Sequence, residues 1–583
     1  MVVSLAEVRV RGSEVIVEML LRYDVKHIFG VSGDTSVQLY QSLSDHRDEI
    51  THILCRDERS ASFAADAYAR LTFKPGVCEC PSGAGALYAV PGVAEANASS
   101  VPIIALTSGI DLASEGKGTI TELDHHVLYQ SITKWSHFIK RYDKIPGTMR
   151  RAFRVATTGR PGAVHIAFPQ EVLNAEVPRD DADLYAEATC TAYPSYRQRA
   201  ERPELEKAIS LLMAAERPVI VAGGGVTNAR ASEQLVQLAE LLSIPVGTTI
   251  TGKGAIPENH PLAIGVVGDN GYREYANELV AGADLIFYIG CKTGSVTTIR
   301  WTLPDPRRAP IVIHLDIDPQ LIGNNYATAV GLVGDAQLIL ADLVALTSPL
   351  APAERPWVAE EIARLRAAWW AGAAAKMASD QVPLKPHRIM AALSRVLPDD
   401  AVVVADAGTP TPYVCAYYDV NRSGRQVIIP RAYGGLGYAI PATIGAAYAR
   451  PGKVVVGLSG DGSFAMSAGE LETLARLNLP VVIVNFNNSC FGWIKAIQSL
   501  QGDGEYFGVD FSTIDHAAVA RAFGMQGLRV DRAADLEDTL EAAIASGRPT
   551  LIDVPSESEE KDLPQVHNWR VKKSLRAAAR TET

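Results

Sequence analysis

The sequence predicts an α/β protein built from three doubly wound, mostly parallel-sheet domains, the first and last of which are copies of one another. Internal echoes carry the expectation of duplication. Ala67-Tyr-Ala-Arg70 recurs 380 residues later as Ala447-Tyr-Ala-Arg450. Each is followed by Pro-Gly, an apolar strand and a glycine turn, Ser82-Gly-Ala-Gly85 in the first copy and Ser459-Gly-Asp-Gly462 in the second. Gly159-Arg-Pro161 and its strand to Pro169 then return as Gly547-Arg-Pro549 and its strand to Pro555. Three matches in one order, at offsets of 377 to 388 residues, mark a repeated domain. Between the copies, Arg217-Pro-Val-Ile-Val-Ala-Gly-Gly-Gly-Val226 reads as strand then glycine loop, and 311–318 as strand then acidic turn, the pattern of a third nucleotide-binding-like sheet. Its triple glycine fits a ligand loop or a tight turn that serves packing alone.

The expected domains are 1–190, 200–348 and 357–560, followed by a basic tail or lid over 561–583 carrying Arg570, Lys572, Lys573 and Arg576. The stretches 193–203 and 348–356 are polar, contain proline and read as linkers. A chain of 583 residues is long enough for three or four domains, and 47% apolar residues is ordinary for a globular protein. The net charge of −11, without a basic stripe in the domains, argues against nucleic acid. No apolar run approaches the ~18 residues of a membrane span. Charges interrupt the first eleven residues where a signal peptide needs an apolar core. The seven cysteines are scattered, and Cys78 and Cys80 alternate along one strand with no second pair to complete a zinc set, so reduced thiols in the cytoplasm are expected.

The chemistry concentrates in the last domain. Residues 453–458 form a β-branched run, 467–477 has helical spacing with Leu471, Leu474 and Leu477 on one face, and 481–486 is a second buried run. This βαβ unit puts Gly460-Asp-Gly462 and Asn487-Asn488 at strand C-termini, the edge where open α/β sheets bind ligands. Asp461 offers a carboxylate and Asn488 an amide oxygen, hard ligands of the kind Mg²⁺ prefers. The flanking glycines would let backbone approach a phosphate. Alone, a Gly-Asp-Gly is a common turn. Paired with Asn-Asn across 27 residues, it is far more specific.

These motifs resemble the signature of thiamine diphosphate enzymes of the decarboxylase and carboligase family, and the three-domain order extends the resemblance over almost the whole chain. The resemblance implies Mg²⁺ held by Asp461, Asn488 and the main-chain carbonyl of Cys490, with only the last copy binding metal because Ala84 stands where Asp461 does. It implies a pyrimidine-binding first domain, a diphosphate-binding last domain, and cofactor contacts from Gly408, Thr409, Gly435, Leu436, Gly460, Asp461, Gly462, Ser463 and Asn488. It also implies a glutamate opening the helix after the second strand of the first domain. Glu58 fits, with Asp57 where histidine is usual; the bland alternative is a helix-terminal acid favoured by the dipole. Its buried carboxyl would share a proton with a pyrimidine nitrogen and so activate the cofactor.

Gly492-Trp-Ile-Lys-Ala-Ile-Gln498, 506–511 and Thr133-Lys-Trp135 look most like acetohydroxyacid synthase and pyruvate oxidase. The substrate-facing positions depart: Thr121 replaces a glutamine, Ile497 a tryptophan, and Pro412 lies near a usual methionine. Gly290-Cys-Lys-Thr-Gly-Ser295 lacks the arginine-rich pattern of flavin binders, so FAD is not expected. Asp34 matches an acidic position of pyruvate-decarboxylase-like relatives, Glu79 lies just ahead of Ser82-Gly-Ala-Gly85 where benzoylformate decarboxylases place a histidine, and His125 and His126 resemble the paired histidines of pyruvate decarboxylases a few residues late. Each is weighed equally as structural. The expectation is a homodimeric or homotetrameric enzyme acting on a 2-oxo acid, with an aldehyde or ketone as possible acceptor. The alternatives are a flavin-linked 2-oxo acid oxidase and a non-catalytic nucleotide-binding relative.

Overall fold

The computed structural model describes residues 9–179, 183–350, 355–502 and 504–581. Residues 1–8 and 351–354, on which the readings of the N-terminus and second linker bear, lie outside the described residues, as does the side chain of Arg576. The chain forms two compact units: Met1–Tyr196 with Ala432–Gly452 and Ser467–Leu477, and Arg197–Arg431 with Lys453–Met466 and Asn478–Thr583.

In the first unit six parallel strands run in the order Thr51–Leu54, His27–Gly30, Gly76–Cys80, Ile103–Gly109, Val164–Pro169 and Trp135–Phe138. Numbered along the chain, this is 2-1-3-4-6-5. The strands Gly76–Cys80 and Ile103–Gly109 are buried at every position, as expected for a parallel sheet covered on both faces. Helix Glu58–Thr72 carries alanines on its buried faces, which lets backbone come close. A Cβ added to Gly445, on helix Ala439–Ala449, would fall 2.0 Å from the Ala64 carbonyl oxygen. The repeated helices of the two copies therefore pack on each other. Beneath them Arg70 Nε donates to Asp66 Oδ2 at 2.8 Å and the Tyr438 hydroxyl donates to the same oxygen at 2.5 Å, while Glu95 accepts the Ala432 and Tyr433 N–H groups.

The second unit holds two six-stranded parallel sheets. One runs Ala263–Val266, Val246–Thr248, Pro218–Ala222, Leu285–Ile289, Ile311–Asp316 and Val330–Val333, an order of 3-2-1-4-5-6. The other runs Val427–Ile428, Val402–Ala405, Val455–Gly460, Val481–Asn487, Thr550–Pro555 and Gln526–Arg529. Its order is again 2-1-3-4-6-5, so the echoes in sequence correspond to identical topologies. The triple glycine follows Pro218–Ala222, where a Cβ on Gly223 would lie 2.1 Å from the Gly290 carbonyl oxygen. Close packing accounts for it without a ligand.

One predicted element differs. The single helix over 467–477 is two, Asp461–Ser467 and Glu470–Arg476, interrupted at Ala468-Gly469. Glycine's low helix propensity marks the break, and the first helix starts at the acid itself. The basic tail forms helix His567–Thr581, seated by Trp569 against Trp493 with ring centroids 4.4 Å apart. All seven cysteines are free and buried. Among the described residues no helix is long and apolar enough to cross a membrane.

Candidate active site

In the second unit, Val455–Gly460 and Val481–Asn487 are adjacent and parallel, with Gly460 opposite Phe486, so Asp461 and Asn488 emerge side by side at the C-terminal edge. Backbone donors fix the carboxylate: Ser489 N donates to Asp461 Oδ2 at 2.5 Å and Gly462 N to Oδ1 at 2.8 Å. Ser489 takes φ +55° to bring its N–H round. Burial pushes Asp461 up to about 6, against the pull of those two donors. Asn488 Nδ2 donates to Glu559 Oε2 at 3.1 Å, and its Oδ1 accepts from Cys490 N at 3.3 Å. Burial pushes the Cys490 thiol up to about 12, leaving it protonated beside the Ser558 hydroxyl, a poor metal ligand next to a carbonyl that is a good one. One carboxylate, one amide oxygen and one carbonyl make a hard donor set suited to Mg²⁺.

The glycines beside Asp461 have different reasons to be glycine. A Cβ on Gly462 would strike the Phe491 ring at 2.7 Å, whereas one on Gly460 meets nothing nearer than Thr409 at 3.9 Å. Only Gly460 leaves open approach for a ligand, and it adjoins the Gly408-Thr409 turn that opens helix Pro410–Tyr417. Ser463 is buried, and Ser459 Oγ donates to the fully buried Asp406 at 2.9 Å. Asn487 is structural, its amide donating to Asp553 Oδ2 and the Ile514 carbonyl, each at 3.1 Å. Glu559 escaped the sequence reading, because nothing in Ser556-Glu-Ser-Glu-Glu560 distinguishes it from a surface acidic run. It is wholly buried, and that burial pushes its carboxyl up to about 7.

The first unit gathers the other candidates around Pro81. A Cβ on Gly33 would fall 2.3 Å from Pro81 Cβ, and one on Gly85 2.7 Å from Pro81 and 2.8 Å from Glu58 Oε1. Glu58 opens its helix as expected, with Asp57 as N-cap accepting from Arg59 N at 2.7 Å. Burial, then the neighbouring charges of Asp57 and Glu79, raise its carboxyl above the ordinary range, opposed by a backbone hydrogen bond. Ser82 Oγ donates to Thr121 Oγ1 at 2.7 Å, and Thr121 sits at φ +68°. Asp34 is exposed, its Oδ1 accepting from Thr35 N. Glu79 is buried and accepts from the Tyr40 hydroxyl, which also bonds His52 Nε2 at 3.0 Å. Gly435 and Leu436 belong to this unit, between glycines at φ +70° (Gly434) and +77° (Gly437). Pro412 is buried in helix Pro410–Tyr417, and Ile497 packs with Trp493 near Trp569.

Residues 10–128 match the N-terminal TPP binding domain of thiamine pyrophosphate enzymes, 205–343 their central domain and 406–554 their C-terminal TPP binding domain. The chain is 35% identical to a probable acetolactate synthase large subunit of Methanocaldococcus jannaschii, over 95% of this chain and 93% of that one. It is 30% identical to the acetolactate synthase isozyme 3 large subunit of Escherichia coli, over 95% and 96%. An acetolactate synthase of Mycobacterium bovis is 32% identical over 93% and 87%.

Proposed function

The chain belongs to the thiamine pyrophosphate enzyme family and is an enzyme of its carboligase and decarboxylase type, and from that premise we propose that it removes CO₂ from a 2-oxo acid and releases the remainder as an aldehyde or joins it to a carbonyl acceptor. The observation that carries this is the pair of buried, upward-shifted acids, Glu58 and Asp461, each beside an unusually close glycine turn. The residues present suit the cofactor: a hard donor set at Asp461, Asn488 and the Cys490 carbonyl, and an open approach at Gly460.

When bound, thiamine diphosphate supplies a carbon nucleophile that adds to a carbonyl. The protein does the rest. Asp461, Asn488 and Cys490 would hold Mg²⁺ against the diphosphate, with Gly408, Thr409, Gly460, Gly462 and Ser463 lining the phosphates and Gly435 and Leu436 the pyrimidine. Glu58 would share a proton with the pyrimidine ring, which its raised carboxyl favours. Asp34, Glu79 and Thr121 are assigned to orienting the 2-oxo acid and exchanging protons with it. The relatives named acetolactate synthase make acetolactate synthesis the first reaction to try, and Thr121, Ile497 and Pro412 make an altered acceptor the second. We assign a homodimer or homotetramer, by resemblance to the family, in the cytoplasm, where seven buried free thiols stay reduced.

The test is a screen of 2-oxo acids, alone and with aldehyde or ketone partners, reading CO₂ release and ligation products with Mg²⁺ and thiamine diphosphate present. Turnover that needs both additions is expected. Binding of thiamine diphosphate without CO₂ release from any member would overturn the reading.

A further inference from the structure

Two buried glutamates of the first unit make the same kind of contact in opposite directions. Each lies on the second of the two helices that follow its copy's glycine turn, Glu95 on Val90–Ala98 and Glu470 on Glu470–Arg476. Each is only 1% exposed. Glu95, in the first copy, reaches the last one. Its Oε1 accepts from Ala432 N at 3.0 Å and from the Ser99 hydroxyl at 2.8 Å, and its Oε2 accepts from Tyr433 N at 2.8 Å. Glu470, in the last copy, reaches the first. Its Oε1 accepts from Arg56 N at 2.9 Å and its Oε2 from the Thr473 hydroxyl at 2.7 Å. The targets are equivalent. Ala432-Tyr433 and Arg56 each lie between the second strand of a copy and the helix after it, Ala439–Ala449 in one case and Glu58–Thr72 in the other.

The segments held in this way carry residues assigned to the cofactor. Two residues after Arg56, Glu58 opens its helix, and Arg476 Nη2 donates to the Leu54 carbonyl at 2.6 Å, so the connection is pinned on both sides of Cys55. After Tyr433 comes the stretch 434–437, with Gly434 at φ +70° and Gly437 at +77°. Glycines leave such a loop free to move unless its ends are held. Both ends are held. Glu95 takes the N–H groups ahead of Gly434, and the Tyr438 hydroxyl behind Gly437 donates to Asp66. Arg70 ties these anchors together, with Nε on Asp66 at 2.8 Å and Nη2 3.9 Å from Glu95 Oε1. Burying charge costs free energy that an apolar pair would not. The helix itself does not require it, since in the last copy Arg450 repeats Arg70 while Ala446 stands where Asp66 does.

We propose that Glu95 and Glu470 are reciprocal positioning residues: each copy uses one buried carboxylate to fix, through main-chain N–H groups, the segment by which the other copy meets the cofactor. Glu95 fixes 434–437, and Glu470 fixes the helix start at Glu58. The inference rests on the functional reading above. The two acids differ in what their bonds demand. Glu95 accepts a main-chain N–H on each oxygen, so both atoms must be acceptors. A glutamine there sets N–H against N–H at one of them. Glu470 accepts a main-chain N–H on one oxygen alone, and the other meets the Thr473 hydroxyl, which can turn to accept from an amide. Glutamine is therefore tolerated at 470 and refused at 95.

Hydrogen exchange on the full, cofactor-free chain tests the pinning without any ligand. Glu95→Gln should raise exchange over 432–438 about tenfold, the weight of a lost hydrogen bond to a carboxylate, and leave strand Ile103–Gly109 unchanged. Glu470→Ala should do the same over 56–58, and Glu470→Gln should not. Calorimetry with Mg²⁺ present separates the two tasks. Glu95→Gln should weaken thiamine diphosphate about tenfold and inorganic diphosphate not at all, because only the pyrimidine loop is loosened. Glu470→Ala should bind thiamine diphosphate as the wild type does but lower kcat about tenfold with KM unchanged, because Glu58 is displaced. Glu470→Gln, the conservative variant, should restore that loss. Tyr438→Phe frees the far end of the loop and is the mildest change; it should raise exchange over 434–438 and weaken thiamine diphosphate about threefold, even if Glu95→Gln does not fold. Unchanged exchange over 432–438 in both loop variants would overturn the assignment. So would Glu470→Gln as impaired as Glu470→Ala, or an equal loss of thiamine diphosphate and diphosphate. A wild type that binds no thiamine diphosphate would remove the functional reading, and the exchange result would then decide the pinning by itself.

Discussion

Two glycine turns, Ser82-Gly-Ala-Gly85 and Ser459-Gly-Asp-Gly462, follow the third strand in copies of one sheet topology, and they have diverged into complementary tasks. In the last domain the turn carries Asp461, and the next strand ends in Asn487-Asn488. In the first domain the turn carries the exposed Ala84, and the next strand ends in Gly109-Ile110. Neither proposed metal donor has a counterpart there. The reverse holds for the acid proposed to share a proton. The first domain's helix after its second strand opens with Glu58, whereas the last domain's opens with Ala439. Under the proposed function one fold edge hosts two chemistries, separated by which buried acid it retains. In both, burial raises the carboxyl. Backbone donors from Gly462 and Ser489 aim Asp461, whereas Asp57 and Glu79 crowd Glu58 with like charge and favour its protonated form.

The division predicts separable losses. The largest is for Glu58→Gln, which keeps shape but cannot share its proton: turnover should fall about 10³-fold or more, within the reach of a general acid–base group, while circular dichroism titration still shows thiamine diphosphate binding. Loss of cofactor binding instead would mean Glu58 serves the fold. Asp461→Ala should do the converse, weakening Mg²⁺-dependent cofactor binding about a hundredfold by removing the only charged donor. An unchanged Mg²⁺ requirement would move the metal elsewhere.

The turn's glycines sharpen the contrast further. Gly460→Ala meets nothing within 3.9 Å, so the Tm of the cofactor-free protein should hold while cofactor affinity falls about tenfold (~1.4 kcal/mol) as the methyl group fills the approach. Gly462→Ala drives a methyl group to 2.7 Å from Phe491 and should cost about 1–3 kcal/mol of stability before any cofactor is added. Thermal denaturation of both, with and without cofactor, reads the two effects apart. If both lower Tm equally, Gly460 is a packing glycine as well.

The pH dependence follows from Asp461, whose raised carboxyl stays protonated in the cofactor-free fold up to about 6. A raised acid favours the cofactor-free fold below its unfolded value of 3.8, and that advantage is lost as pH rises through about 6. Mg²⁺ needs the carboxylate, so its affinity should climb with pH, about tenfold per unit, and level off above about 6, with one proton released per metal on the rising limb. Calorimetry in buffers of different ionisation enthalpy counts that proton. A flat affinity from pH 5 to 8 would remove Asp461 from the metal shell.

How much of this was legible in the sequence depended on whether the signal was local. The Gly-Asp-Gly and Asn-Asn pair, Glu58 at a helix start and the duplicated strand endings are short strings tied to backbone geometry, and they stand where the strings imply. The helix break at Ala468-Gly469 was missed because Leu471, Leu474 and Leu477, the residues that carry the helical spacing, all lie beyond it and say nothing of the residues before. Glu559 and His165 were invisible, because burial is decided by what other segments bring. Nothing around His165 in its strand says that Tyr129 will stack on it, or that Ser136 and Thr107 will bond its two nitrogens. The triple glycine was ambiguous until Gly290, far along the chain, was found against it.

The smallest expected effect tests the comparison most severely. Ala84→Asp recreates Gly-Asp-Gly in the first copy, at an exposed position where a carboxylate costs little. A turn sequence sufficient for metal would make the variant bind a second Mg²⁺. The structure argues otherwise. Asp461 is held by the N–H groups of Gly462 and Ser489, and the Asn488 amide donates to the buried Glu559, whereas Gly109 is followed by Ile110-Asp111-Leu112-Ala113, with neither an asparagine nor a serine. The variant should therefore keep wild-type metal stoichiometry, affinity and Tm. Its one measurable change should be at Glu58, close to Gly85, where an added negative charge raises the carboxyl further and displaces the acidic limb of the pH–rate profile to higher pH. A second bound Mg²⁺ would show that the glycine turn alone makes the site, and that the division between the copies rests on a single side chain.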